Sequence, residues 1–127
     1  MNYVNTVTGP VAASELGRTL MHEHFLFGFC GFQGDATLGG FKEEEYTRDC
    51  LKAVDDARAY GINTIVDATT NECGRNVRFL KKISDMTGMN IICSTGYYFQ
   101  AESAYAYWNF RRGFANIEEE IYEMMVT

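Results

Sequence analysis

The chain has only two histidines, His22 and His24, and a single residue separates them. On an extended strand the side-chain period is two, so both imidazoles leave one face and Glu23 leaves the other. Their Cα atoms would lie roughly 6.6–6.8 Å apart, from a rise of about 3.3–3.4 Å per residue. Two imidazoles can converge on one ion over that distance. Neutral imidazole is a good ligand for Zn²⁺ and for other borderline divalent ions. The pair therefore reads as two metal ligands. The bare H-x-H tripeptide also suits two hydrogen-bonded histidines closing a strand, and the spacing alone does not choose.

The elements around the pair give it a place. Residues 19–25 read as a strand, followed by a glycine-rich stretch with Gly28, Gly31, Gly34, Gly39 and Gly40. Residues 42–60 have helical periodicity, with Tyr46, Cys50, Val54 and Ala57 on one side and Asp49, Lys52, Asp55 and Asp56 on the other. Gly61 stops that helix, since glycine enters the left-handed region freely. Residues 62–67 read as a second strand, and 75–87 as a second helix ending at Gly88, with Val77, Leu80 and Ile83 on one side. Residues 90–95 form a third strand, almost continuously apolar, as expected where both faces are covered. Asn116 and Glu119 make an N-x-x-E helix start, and the helix after it carries Ile117, Ile121, Met124 and Met125 on one face.

This βαβαβα order predicts a parallel sheet with covering helices, open or closed into a barrel. Three strands make a poor finished α/β domain, whereas a closed barrel runs to about 250 residues. The 127 residues are therefore expected to be the N-terminal part of a single larger barrel domain, without a second domain. His22 and His24 fall at the C-terminal end of the first predicted strand, the face on which barrel enzymes carry their catalytic groups.

Composition excludes other classes. With 11 basic and 17 acidic residues, and the basic ones dispersed, a nucleic-acid partner is not expected. No stretch approaches the roughly 20 apolar residues of a membrane span. The start, Met1-Asn2-Tyr3-Val4-Asn5, lacks the basic and apolar regions of a secretory signal, so a cytoplasmic location is expected. The four cysteines, Cys30, Cys50, Cys73 and Cys93, form no C-x-x-C pair and read as reduced thiols, mostly small core residues.

The run Thr19-Leu20-Met21-His22-Glu23-His24, preceded by Asn5-Thr6-Val7-Thr8-Gly9-Pro10, resembles the opening of the phosphotriesterase family of the amidohydrolase superfamily. Further matching segments are Gly61-Ile62-Asn63-Thr64-Ile65-Val66-Asp67, Gly74-Arg75-Asn76 and Ser94-Thr95-Gly96-Tyr97-Tyr98. The resemblance spans nearly the whole chain. It implies a (β/α)₈ TIM barrel of which this chain supplies roughly the first three βα units. It also implies that His22 and His24 hold the more buried metal, most simply zinc, of a binuclear centre. The implied function is hydrolysis of a lactone, carboxylester or organophosphate ester by a metal-activated hydroxide, with lactone or ester hydrolysis the favoured task. The family's bridging lysine, two later histidines and catalytic aspartate come from later strands. No catalytic residue is therefore assigned within these 127 residues, and the remaining catalytic groups are expected beyond Thr127. The chain alone is expected to be catalytically incompetent. The competing reading is an inactive fragment that binds metal weakly or serves only as an interaction partner, and self-association or a complementing chain is expected from the exposed sheet edge.

Other candidates follow from position. Between Tyr97 and Phe114 lie eight of the 18 aromatic residues, read as a loop over the mouth that holds the histidines. These rings either wall a substrate pocket or pack the loop against its neighbours or another subunit. Tyr98 lies nearest the strand end, where the resembled family often sets an aromatic against the substrate, and is the substrate-binding candidate. Lys42, Lys52, Lys81 and Lys82 fall in predicted helices and are not assigned to the bridging role. Asp67 ends the second strand and is expected to orient neighbours or cap a helix. The glycine-rich stretch lacks the G-K-[ST] ending of a phosphate loop, and nothing pairs Cys30 with a general base. Glu118-Glu119-Glu120 reads as a solvated helix N-terminus.

Overall fold

The computed structural model describes residues 2–28, 34–37, 40–98 and 104–126. Thr127, the residue beyond which the remaining catalytic groups are expected, lies outside the described residues. The chain opens with an antiparallel hairpin, β1 (Tyr3–Thr6) and β2 (Gly9–Ala12), whose turn is closed by Thr6 Oγ1 donating to the Gly9 carbonyl at 2.7 Å. The sequence pattern predicts no element here. Each strand has four residues, and only Tyr3 opposite Ala12 and Val4 opposite Val11 pair apolar side chains, too short a pattern to register as alternation. The Val7 amide donates to the Ile91 carbonyl at 2.9 Å and ties the turn to the sheet that follows.

That sheet is β3 (Arg18–Glu23), β4 (Ile62–Asp67) and β5 (Asn90–Cys93), all parallel and in the order β3-β4-β5. Its crossovers are α1 (Glu43–Ala59) and α2 (Val77–Thr87). Cys50 and Val54 of α1 meet Phe79, Leu80 and Ile83 of α2 over Ile62, Ile65 and Ile91 of the sheet, in one buried cluster. Both helices thus cover the same face. A doubly wound sheet reverses its strand order and takes helices on both faces. Strands that advance in one direction with one-sided helices are an arc of a closed barrel, and this chain holds the first three βα units of a (β/α)₈ barrel.

Local chemistry sets the element ends. Gly61 and Gly88 follow the helices with φ of +75° and +68°, the left-handed conformation that lets the chain turn into the next strand. The second helix starts at Val77, two residues later than the pattern predicts, because Asn76 caps it: Asn76 Oδ1 accepts the Phe79 amide at 3.1 Å. Asn76→Ala is expected to cost about 1 kcal/mol of stability, read as a lower urea midpoint at unchanged slope. The third strand ends at Cys93 rather than residue 95.

The segment read as an aromatic loop contains a helix, α3 (Ala104–Arg111), followed by α4 (Ile117–Val126). Aromatic residues at nearly every turn of α3 hide any polar face, so no helical period is visible in the sequence. At the start of α4, Asn116 Oδ1 accepts the Glu119 amide at 3.5 Å, the capping contact expected from N-x-x-E, and Asn116 Nδ2 donates to Glu119 Oε2 at 3.1 Å. One residue of the acidic run departs from a purely solvated role. Glu120 takes both Arg111 Nε, at 2.8 Å, and Arg111 Nη2, joining α3 to α4, and the guanidinium holds its carboxyl below the usual range.

Candidate metal centre

The first strand of the sheet is shorter than residues 19–25: β3 ends at Glu23, and His24 lies just beyond it. Between Leu20 and Glu23 the strand also carries one extra residue. Leu20 pairs with Ile65 and Glu23 with Asp67, so β3 advances three positions while β4 advances two. Leu20 and Glu23 consequently share a face, and both line a cavity of about 490 Å³ against α1 with Phe41, Asp49 and Cys50. In a regular strand His22 would share Leu20's face and enter the apolar layer. The bulge turns it away, which is a recurrent use of bulges beside functional sites.

The two imidazoles lie close together, although the bulge and the early strand end mean that a regular two-residue period does not place them. Their ring centroids are 5.3 Å apart at an interplanar angle of 75°, and both residues are exposed. His24 is held by its neighbours. Its Nδ1 lies 2.9 Å from Thr69 Oγ1, and its ring stands edge-on to Phe27 at 5.2 Å. Phe27 in turn meets Tyr98 at 6.4 Å, so the substrate-binding candidate reaches the histidines through one intervening ring. Tyr98 is 64% exposed.

Asp67 sets the strand ends. It is 2% exposed, and its two oxygens accept backbone amides from separate segments: Oδ2 takes Phe25 N at 3.0 Å and Oδ1 takes Thr69 N at 2.9 Å. The carboxylate pins the turn after β3 to the turn after β4, the orienting role anticipated for it. Taking the Phe25 amide out of the ladder is also why β3 stops before His24. Thr69 and Phe27 escape a reading of the sequence because neither belongs to a motif. The only local hint is Asp67-Ala68-Thr69, in which an Asp accepts the amide two residues on, a common turn pattern.

The remaining aromatics divide. Trp108 Nε1 donates to Tyr97 Oη at 2.6 Å, and Tyr97 lies against Met124, packing the segment after β5 between α3 and α4. Burial raises the Tyr97 phenol's pKa, Trp108's hydrogen bond opposing it. Tyr107, Phe110 and Phe114 remain exposed. The described cysteines, Cys50, Cys73 and Cys93, are free thiols. Burial, reinforced by nearby carboxylates, pushes Cys50 and Cys93 up to about 11, so neither is a nucleophile at neutral pH. Cys30, Gly31 and Gly39 lie outside the described residues. Lys52, Lys81 and Lys82 pair with Asp56, Asp85 and Glu43 on the helix surfaces, and Lys42 precedes α1, all away from the histidines.

The residues present fit part of a zinc site. Two imidazoles stand with ring centroids 5.3 Å apart, and Thr69 engages the His24 nitrogen that a ligand would leave free if it bound through Nε2. Among the described residues no group of three or more His, Cys, Asp or Glu could hold an ion, so these two do not make a closed centre. No described helix is long and apolar enough to cross a membrane.

Comparison with known proteins agrees with the barrel fold. The sequence model of the phosphotriesterase family matches residues 2–127. The chain is 32% identical over 100 residues to an aryldialkylphosphatase of Saccharolobus solfataricus, covering 78% of this chain and 31% of that protein. The solved organophosphorus hydrolase from Deinococcus radiodurans superposes with a TM-score of 0.84 at 48% identity, over 96% of this chain and 37% of that one. A variant of a phosphotriesterase-like lactonase from the same organism superposes with a TM-score of 0.82, also at 48% identity, over 94% of this chain and 37% of that one. The chain belongs to the phosphotriesterase family. It spans about a third of the length of these relatives.

Proposed function

We propose that the protein is a metal-dependent hydrolase of ester-type bonds, acting on a lactone, carboxylester or organophosphate ester, with His22 and His24 as metal ligands and Tyr98 at the substrate. The observation that carries this reading is the convergence of the two imidazoles, 5.3 Å apart, at the C-terminal end of the first barrel strand. Divalent metal held there, with zinc the expected ion, supplies Lewis-acid polarisation of a phosphoryl or carbonyl oxygen and a lowered pKa for water. The chain's own residues do the positioning. Asp67 holds the turn that carries His24, and Phe27 and Tyr98 offer an apolar wall beside the imidazoles. Similarity to a lactonase and to two organophosphate-cleaving enzymes, by their names, supports the lactone and organophosphate classes. Lactones are placed first because a lactonase stands among the structures matched at 48% identity.

Two imidazoles fall short of the three protein ligands usual for a catalytic zinc. The 127-residue chain by itself is therefore expected to take up zinc weakly and to hydrolyse none of these esters at a measurable rate. The test is this chain together with a complementing chain that supplies the remaining barrel strands, loaded with zinc and assayed on a lactone, an aryl carboxylester and an aryl dialkyl phosphate, with and without a chelator. Chelator-sensitive hydrolysis of at least one supports the reading. Hydrolysis of none, or turnover untouched by metal removal, overturns it.

A further inference from the structure

Thr69 is buried, 2% exposed, and every polar atom it owns is engaged. Its amide donates to Asp67 Oδ1 at 2.9 Å, and its carbonyl accepts from Ser94 Oγ at 3.1 Å. Its hydroxyl donates to the Leu26 carbonyl at 3.1 Å. A hydroxyl has one proton, and the Leu26 carbonyl can only accept, so both contacts of Thr69 Oγ1 are satisfied together only when that proton goes to Leu26. The 2.9 Å contact between Thr69 Oγ1 and His24 Nδ1 can then be a hydrogen bond only if the imidazole donates.

We infer that Thr69 is a positioning residue for His24: it holds the imidazole in the Nδ1–H tautomer with its ring fixed, so that the lone pair is on Nε2. The residue that does this is itself held from all three strand ends: His24 just after β3, Asp67 at the end of β4, and Ser94 just after β5. Among the described residues His22 makes no such side-chain hydrogen bond, so its tautomer is left to solvent. The consequence for metal rests on the proposed function above: a pre-set Nε2 lone pair needs no tautomer change or ring reorientation before it coordinates.

The test reads the proton directly. Long-range ¹H–¹⁵N correlation spectra of the metal-free, ¹⁵N-histidine-labelled chain, recorded where both imidazoles are neutral, distinguish the two tautomers for each ring. The wild-type chain is expected to show His24 as Nδ1–H and His22 predominantly as Nε2–H, the form that free side chains prefer. Thr69→Val keeps the shape and removes the hydroxyl. It is expected to shift His24 toward the Nε2–H form and to weaken zinc binding about 10- to 100-fold by calorimetry. Thr69→Ser restores the hydroxyl and should recover both readouts, a rescue that loss of packing alone would not produce. An Nε2–H His24 in the wild-type chain overturns the inference without any variant, as does an unchanged tautomer in a folded Thr69→Val chain. A wild-type chain with the expected tautomer that takes up no zinc leaves the assignment standing and overturns the metal reading instead.

Discussion

Replacing His22 and His24 together by asparagine is expected to reduce zinc uptake to the level of a chain with no site, while the fold stays intact. The size of the effect follows from the donor set. Among the described residues no third His, Cys, Asp or Glu joins the pair within reach of one ion, so each imidazole is half of what they offer. Asparagine keeps the polarity and much of the volume, but its amide is a poor ligand for a borderline ion that favours imidazole nitrogen. The fold should tolerate the change because both residues are exposed and neither belongs to the buried cluster. Surface substitutions of this kind usually stay within about 0.5 kcal/mol. Zinc per chain after equilibrium dialysis, with the metal-free melting temperature alongside, is the measurement. Stoichiometric zinc in the double variant would sink the ligand assignment.

Asp67→Ala should have the largest effect on stability of any change at the site. The carboxylate is almost fully buried and accepts amides from Phe25 and Thr69, which lie after different strands. Hydrogen bonds to a charged group contribute roughly 1.5–3 kcal/mol each. Removing both leaves two amides without their acceptor, so a loss of about 3 kcal/mol or more is expected. Against a typical total of about 5–15 kcal/mol, that is a large share. Asp67→Asn retains one acceptor oxygen and should lose roughly half as much. Because the same carboxylate seats Thr69, zinc affinity should fall along with stability in both variants. Urea unfolding measures the first effect and calorimetry the second. An Asp67→Ala chain with an unchanged urea midpoint would mean that the two amides find other acceptors and that Asp67 does not set the strand ends.

Much of the architecture is readable from residue order because it depends on local periodicity. Cys50, Val54 and Ala57 recur at helical spacing, and Ile62, Thr64 and Ile65 bury one strand between glycine-marked ends, so the parallel alternation emerges with boundaries shifted by only one or two residues. Where the pattern is short or crowded, it fails. The β1-β2 hairpin has too few residues for alternation to show, and α3 is too rich in aromatics to present a polar face.

The histidine pair shows the same boundary at finer grain. That His22 and His24 stand near one another follows from the single residue between them and needs nothing beyond the sequence. Where His22 points was decided by the extra residue between Leu20 and Glu23, and a bulge exists only relative to the partner strand. What His24 meets was decided further away still, by a threonine 45 residues later whose hydroxyl lies between His24 Nδ1 and the Leu26 carbonyl. Residue type and spacing determined that two imidazoles would stand together. Strand pairing and a hydrogen-bond network between distant segments decided where they lie and what holds His24.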